Sequence, residues 1–161
     1  MGKSKIEWTE FSWNPIVGVN GGWGCNKVSP GCDHCYAEIL HKRFGGKGDY
    51  GSTEHQFKIN LKILEQPFWW TKPTRYFVCS TMDLFHHNVT QDMLVRVFMT
   101  MADCARHQFL VLTKRPERMK QFIGRNKSFF QTTRWPSGQA QSNSRMAKRI
   151  TNKGVPNEIR S

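Results

Sequence analysis

The chain has 161 residues, with 24 Lys and Arg against 12 Asp and Glu, a formal net charge of +12. That length supports one domain with its own core, but it falls short of the roughly 200–250 residues of a complete (β/α)8 barrel. No apolar run approaches the ~18 residues of a membrane span, and the opening MGKSKIEWTEFSWN lacks the apolar stretch of a secretory signal, so a basic cytoplasmic protein with no membrane contact is expected.

In chain order, residues 6–13 alternate apolar and polar side chains around Ile6, Trp8, Phe11 and Trp13 and predict a first strand. Asn14-Pro15 and the glycines 18, 21, 22 and 24 predict a long loop. A helix is expected from near Cys35 through Tyr36, Ala37, Ile39, Leu40 and Phe44, stopped by Gly45-Gly46 at the head of a second Gly-rich loop over 45–53. FKINLKIL (57–64) reads as a strand passing into a short helix that Pro67 ends, and 67–73 as a turn. RYFVCS (75–80) reads as a strand. Gln91 to Arg106 is the clearest helix, with Leu94, Val95, Val97, Phe98, Met101 and Ala102 on one face and Thr90 as its N-cap. QFLVLT (108–113) reads as a strand buried on both faces, and a last helix covers Glu117 to Ile123. Strands alternating with helices predict an α/β fold with parallel pairing over residues 1–126.

From Lys127 to Ser161 seven Lys and Arg face one acid, Glu158, so the stretch carries +6, half of the total. It is rich in Gln, Ser, Asn and Thr and reads as a polar basic tail, 127–161, that can contact phosphates of a nucleic acid or a nucleoprotein.

Three of the five cysteines, Cys25, Cys32 and Cys35, fall within eleven residues in a Cys-x6-Cys-x2-Cys pattern. An odd count in a cytoplasmic chain argues against a disulfide framework. Three thiolates on one loop can bind three irons of a 4Fe–4S cluster and leave the fourth iron open to an exogenous ligand. The same cysteines with His41 can make a Cys3His zinc site, His34 being cramped between two ligands. Three reduced thiols without a ligand are the third reading. Cys79 and Cys104 read as packing residues.

In parallel α/β proteins ligands gather at the carboxyl ends of the strands. Ser80 and Asp83 follow one predicted strand, and Asp83 can accept from a ribose hydroxyl or close a turn. Lys114 and Arg115 follow another and can neutralise a carboxylate or phosphate. His86-His87 reads as a solvated loop. Trp69 and Trp70 can stack a base, but packing on the sheet is the expected role.

The blocks KIEWTEFSWNP, GCNKVSPGCDHCYAE, RYFVCSTMDLFHHNV and QFLVLTKRPERM, in this order over roughly residues 5–123, resemble a phage-associated three-cysteine-motif family similar to radical-SAM proteins. The resemblance implies an incomplete (βα) barrel of radical-SAM type, a 4Fe–4S cluster on Cys25, Cys32 and Cys35, and S-adenosylmethionine on the open iron, with Ser80, Asp83 and Lys114 near it. It also implies the cytoplasm of a phage-infected or prophage-carrying bacterium. The x6 spacing is wider than the x3 common in such proteins, and the later strands of the family are not recognisable after about residue 125. The chain alone is therefore expected to cleave S-adenosylmethionine poorly, with a protein partner completing the site. The competing expectation is a non-catalytic basic protein, with structural zinc or no metal, that binds nucleic acid or a host defence nucleoprotein.

Overall fold

The computed structural model describes residues 2–3, 6–44, 46 and 48–128. The basic tail 127–161, and with it any test of the boundary after residue 126, lies almost wholly outside the described residues.

The elements are β1 (Gly2–Lys3), β2 (Phe11–Trp13), β3 (Ile16–Gly18), a 3-10 turn (Pro30–Cys32), α1 (Tyr36–Arg43), β4 (Phe57–Ile59), α2 (Leu61–Leu64), α3 (Gln66–Trp69), β5 (Arg75–Val78), α4 (Gln91–Asp103), β6 (Gln108–Val111) and α5 (Pro116–Arg125). The main sheet has the order β1-β2-β5-β6. Its last three strands are parallel, with Phe11, Tyr76 and Phe109 in one row and Trp13, Val78 and Val111 in another two residues on. β1 pairs with β2 antiparallel, and β3 and β4 form a separate antiparallel ribbon. The chain is a mixed α/β protein, and among the described residues its sheet does not close into a barrel. No helix among them is long and apolar enough to cross a membrane.

Both rows lie on the same face of the sheet and contribute to the core. Trp13 is fully buried and its indole N–H donates to the Ile63 carbonyl at 2.7 Å, which fixes α2 against β2. Tyr76 stacks on Phe109 at 5.4 Å, and Trp13 lies 5.3 Å from the same ring. α4 buries Leu94, Val95, Val97, Thr100 and Met101 along one face, and the Thr90 hydroxyl accepts from the Met93 N–H at 3.3 Å, as the sequence predicts. Such a cap is worth about 1 kcal/mol.

Several expectations are corrected. The first strand is confined to Phe11–Trp13, because Ile6 to Thr9 forms a turn closed by Thr9 N–H to Ile6 O at 3.1 Å. The long loop after Asn14 begins with β3, whose partner β4 is too distant in sequence for periodicity to reveal. Pro67 does not end a helix but sits in the first turn of α3, where a missing N–H costs nothing. β5 stops at Val78, and Cys79 turns the chain out of the sheet in a left-handed conformation with φ 51°.

α4 ends at Asp103, short of Arg106. Arg106 instead donates to the carbonyls of Pro67, Phe68 and Trp70 at the end of α3. β6 is half-buried rather than buried on both faces, because it has one neighbour among the described strands. Trp69 is 65% exposed rather than packed on the sheet, since the single turn of α3 turns Pro67 inward, whereas Trp70, 41% exposed, meets Phe11 of β2 edge-on at 5.2 Å between rings, the packing on the sheet that was expected. His86 is fully buried, not solvated, with its ring 5.0 Å from Phe57, while His87 stacks outside it at 4.3 Å.

Candidate functional site

Parallel strands carry their carboxyl ends to one edge of the sheet, and here side chains lash the three ends together. Asn14, the residue after β2, accepts at Oδ1 from the Ser80 N–H at 2.7 Å and the Ser80 hydroxyl at 3.3 Å. Asp83, beyond β5, uses both carboxylate oxygens. Oδ1 accepts from the Phe85 N–H at 2.9 Å and the Thr113 hydroxyl at 2.8 Å. Oδ2 accepts from the Lys114 N–H at 2.9 Å and from Arg115 Nη1 at 3.0 Å. The Asp83 and Arg115 side chains are only 7% and 10% exposed, so this is a buried ion pair that joins the end of β5 to the end of β6. The turn-closing role foreseen for Asp83 is thus present, and the clamp on β6 is added to it.

The cysteine loop lies against these strand ends. Arg115 holds it: Nη2 donates to the backbone carbonyl and to Oδ1 of Asn26 at 3.0 and 2.9 Å, and Nη1 donates to Cys25 Sγ at 3.6 Å. The Cys25 N–H donates to the Tyr50 carbonyl at 2.9 Å. Gly24 packs so tightly on the His55 ring that a Cβ there would stand 2.2 Å from it. Pro30 begins the 3-10 turn that carries Cys32, and the Ser29 hydroxyl lies 3.6 Å from Cys32 Sγ. Lys114 reaches over the same turn, its Nζ 2.5 Å from where a Gly31 Cβ would be. Cys35 is the N-cap residue of α1 but caps nothing with its side chain, which faces the Tyr50 hydroxyl at 3.7 Å. Tyr50 donates to the Thr81 carbonyl at 3.3 Å and Tyr36 to that of Ser80, so the start of α1 is pinned to the end of β5.

All three thiols are free and half-buried. Their electrostatics differ. Burial raises the Cys25 thiol above its ordinary range, against hydrogen bonds from the Asp83 backbone and Arg115. For Cys32, burial acts upward but is outweighed by hydrogen bonds from Val28 and Ser29 and by the Lys114 charge, so its thiol is lowered. Burial together with Cys35 pushes Tyr36 up to about 12 and raises Tyr50 further still, so both phenols stay protonated donors.

Of the residues singled out from sequence, Cys25, Cys32, Cys35, Ser80, Asp83 and Lys114 converge on this edge. His41 is buried between Trp23 and Tyr50, at 6.0 and 5.5 Å between rings, with its Nε2 edge against Gly46 and no hydrogen-bond partner for Nε2 among the described residues. Among the described residues no group of three or more His, Cys, Asp or Glu side chains is arranged to hold a metal ion as it stands. Cys79 and Cys104 are buried in the packing roles expected of them. An open cleft of about 510 Å³ is lined by Val19, Glu54, His55, Gln56, Phe57 and Asn88 and includes none of the cysteines. The sequence reading missed Asn14, Asn26, Tyr36 and Tyr50. Asn14 alone had a local signal, as the residue directly after a strand.

Fold and site together define an α/β protein with three thiols gathered at the carboxyl edge of its parallel strands. The chain belongs to the DUF5131 family, described as a protein of unknown function, whose model matches residues 3–160 and so runs across the basic tail as well. No curated protein and no solved structure matches it.

Proposed function

We propose that Cys25, Cys32 and Cys35 bind a 4Fe–4S cluster whose open iron takes S-adenosylmethionine, making the protein a radical-SAM-type protein of phage origin. The observation that carries the reading is the position of the cysteine loop: three free thiols lie at the carboxyl edge of three parallel strands, Cys25 accepting from Arg115 and Cys32 and Cys35 each with a hydroxyl oxygen within 3.7 Å of the sulfur. Cysteine thiolates are the ligands of an iron–sulfur group, and polar groups beside the sulfurs orient them and tune it. Held by Cys25, Cys32 and Cys35, such a cluster would supply one-electron reductive cleavage of a bound sulfonium and so radical chemistry on a substrate.

The chain's own residues hold and orient. Lys114 brings a positive charge over the turn of Cys32, suited to the carboxylate of the methionyl group. Asn14 and Asp83, with their bonds directed inward, keep the three strand ends in register beneath the loop. Ser80, whose hydroxyl proton goes to Asn14, keeps acceptor capacity at the same edge.

Anaerobic purification followed by iron, sulfide and zinc analysis tests this. About four irons and four sulfides per chain are expected, lost in Cys25→Ala, Cys32→Ala and Cys35→Ala and kept in Cys79→Ala and Cys104→Ala. About one zinc and no colour would replace the proposal with the structural-zinc reading. With a strong reductant, little 5′-deoxyadenosine is expected from the chain alone, because among the described residues three parallel strands leave the edge of the sheet open, and a loosely held ligand reacts slowly. Multiple turnovers dependent on the three cysteines would show that no partner is needed.

A further inference from the structure

The three thiols are not served alike. Ser29 and Tyr50 offer neutral hydroxyls to Cys32 and Cys35, whereas Cys25 meets a guanidinium. Arg115 also comes from the far end of the chain fold: it follows β6, while Cys25 precedes α1, and the two are 90 positions apart in sequence. Three of its contacts fix its aim, the bond to Asp83 on one side and the two to Asn26 on the other. Nη1 is thereby left pointing at Sγ from a side chain only 10% exposed. An arginine so buried carries a large desolvation cost unless paired. Asp83 meets that cost, so the pair is a fixed, nearly neutral unit that nonetheless presents an N–H edge to the sulfur.

We propose that Arg115 is a positioning residue of the sulfur site, which fixes Cys25 and, through its N–H···S hydrogen bond, raises the reduction potential of the iron–sulfur group that the cysteines bind. The inference rests on the cluster reading of the preceding subsection. Its physics is general. Taking up one electron from a low-potential one-electron donor adds negative charge that spreads onto the cysteine sulfurs, with no bond made or broken. A donor aimed at one of those sulfurs from a side chain that is itself buried stabilises the reduced state more than the oxidised one. The Asp83 carboxylate offsets the full charge of Arg115 at longer range, so the effect is carried by the short N–H···S contact rather than by net charge.

The experiment is a potentiometric titration, with dithionite and mediator dyes and low-temperature electron paramagnetic resonance as readout, on the full chain reconstituted anaerobically with ferrous iron and sulfide. Arg115→Gln is compared with wild type. The double variant Asp83→Asn/Arg115→Gln removes both charges together and serves if the single variant leaves Asp83 unpaired and unfolds. Arg125→Gln removes an equal charge from an exposed position at the far end of α5. We expect the Arg115 variants to have a more negative midpoint than wild type at equal iron content, and Arg125→Gln to match wild type. An Arg115 variant with the wild-type midpoint, or an equal shift in Arg125→Gln, overturns the inference and leaves the cluster reading standing. Wild-type protein that takes up no iron and sulfide overturns both.

Discussion

Replacing Asp83 by alanine should cost more stability than any other single change at the site. The carboxylate accepts four hydrogen bonds, from two backbone N–H groups, a hydroxyl and a guanidinium, and it is 7% exposed. Truncation leaves Arg115 charged, 10% exposed and unpaired. Breaking a buried pair from one side costs about 3–5 kcal/mol, most of it the penalty on the charge left behind. A domain's whole stability is commonly about 5–15 kcal/mol. The urea midpoint should therefore fall by about 2 M, and the melting temperature by on the order of 10 °C. Asp83→Ala/Arg115→Met should be less destabilised than Asp83→Ala alone, because the orphaned charge is gone and methionine fills the space apolarly. Urea denaturation of the wild type, the two single variants and the double variant gives the coupling energy. A loss below about 1 kcal/mol in Asp83→Ala, or a double variant equal to the sum of the singles, would refute the assignment of the pair as the clamp between β5 and β6.

His86 should make the fold acid-sensitive. Burial, with Arg115, His87, His55 and Arg118 around it, lowers its pKa from 6.5 to about 3. The folded state then refuses a proton that the unfolded chain accepts, so stability is full above pH 6.5 and falls as the pH drops toward 3, by about 2 kcal/mol at pH 5. His86→Phe should flatten that slope in urea titrations at pH 7 and 5, and an unchanged slope counts against the reading. Asp103, raised by burial from 3.8 to about 6, works the other way: the folded state holds its proton longer, so stability falls as the pH rises through this window. Asp103→Asn should add about 1 kcal/mol at pH 7, after discounting for partial exposure, and nothing at pH 3. Gly24→Ala forces a Cβ to within 2.2 Å of the His55 ring. Overpacking of this kind costs about 1–3 kcal/mol, so a melting temperature equal to wild type would show that the loop over Cys25 yields freely.

The sequence by itself determined the elements whose signals are local. α4 could be read because its apolar residues recur at helical spacing behind a threonine that caps it. α1 follows Cys35 and reaches Arg43 before the two glycines, and the cores of β5 and β6 are runs of aromatic and aliphatic residues. The cysteine spacing and the polar residues after β5 and β6 marked the edge at which Cys25, Cys32, Cys35, Ser80, Asp83 and Lys114 meet. The tertiary structure decided everything that depends on partners distant in the chain. β3 exists because β4 pairs with it, and β6 is half-buried because it has one neighbouring strand among the described residues. Trp69 stays outside and His86 goes inside, against the expectation from residue type, because a single turn of helix and a folded loop set their directions. Asp83 meeting Arg115, and Arg115 meeting Cys25, join positions 32 and 90 residues apart. No periodicity or motif encodes such a contact. It follows only from laying the parallel strands side by side with all their carboxyl ends at one edge.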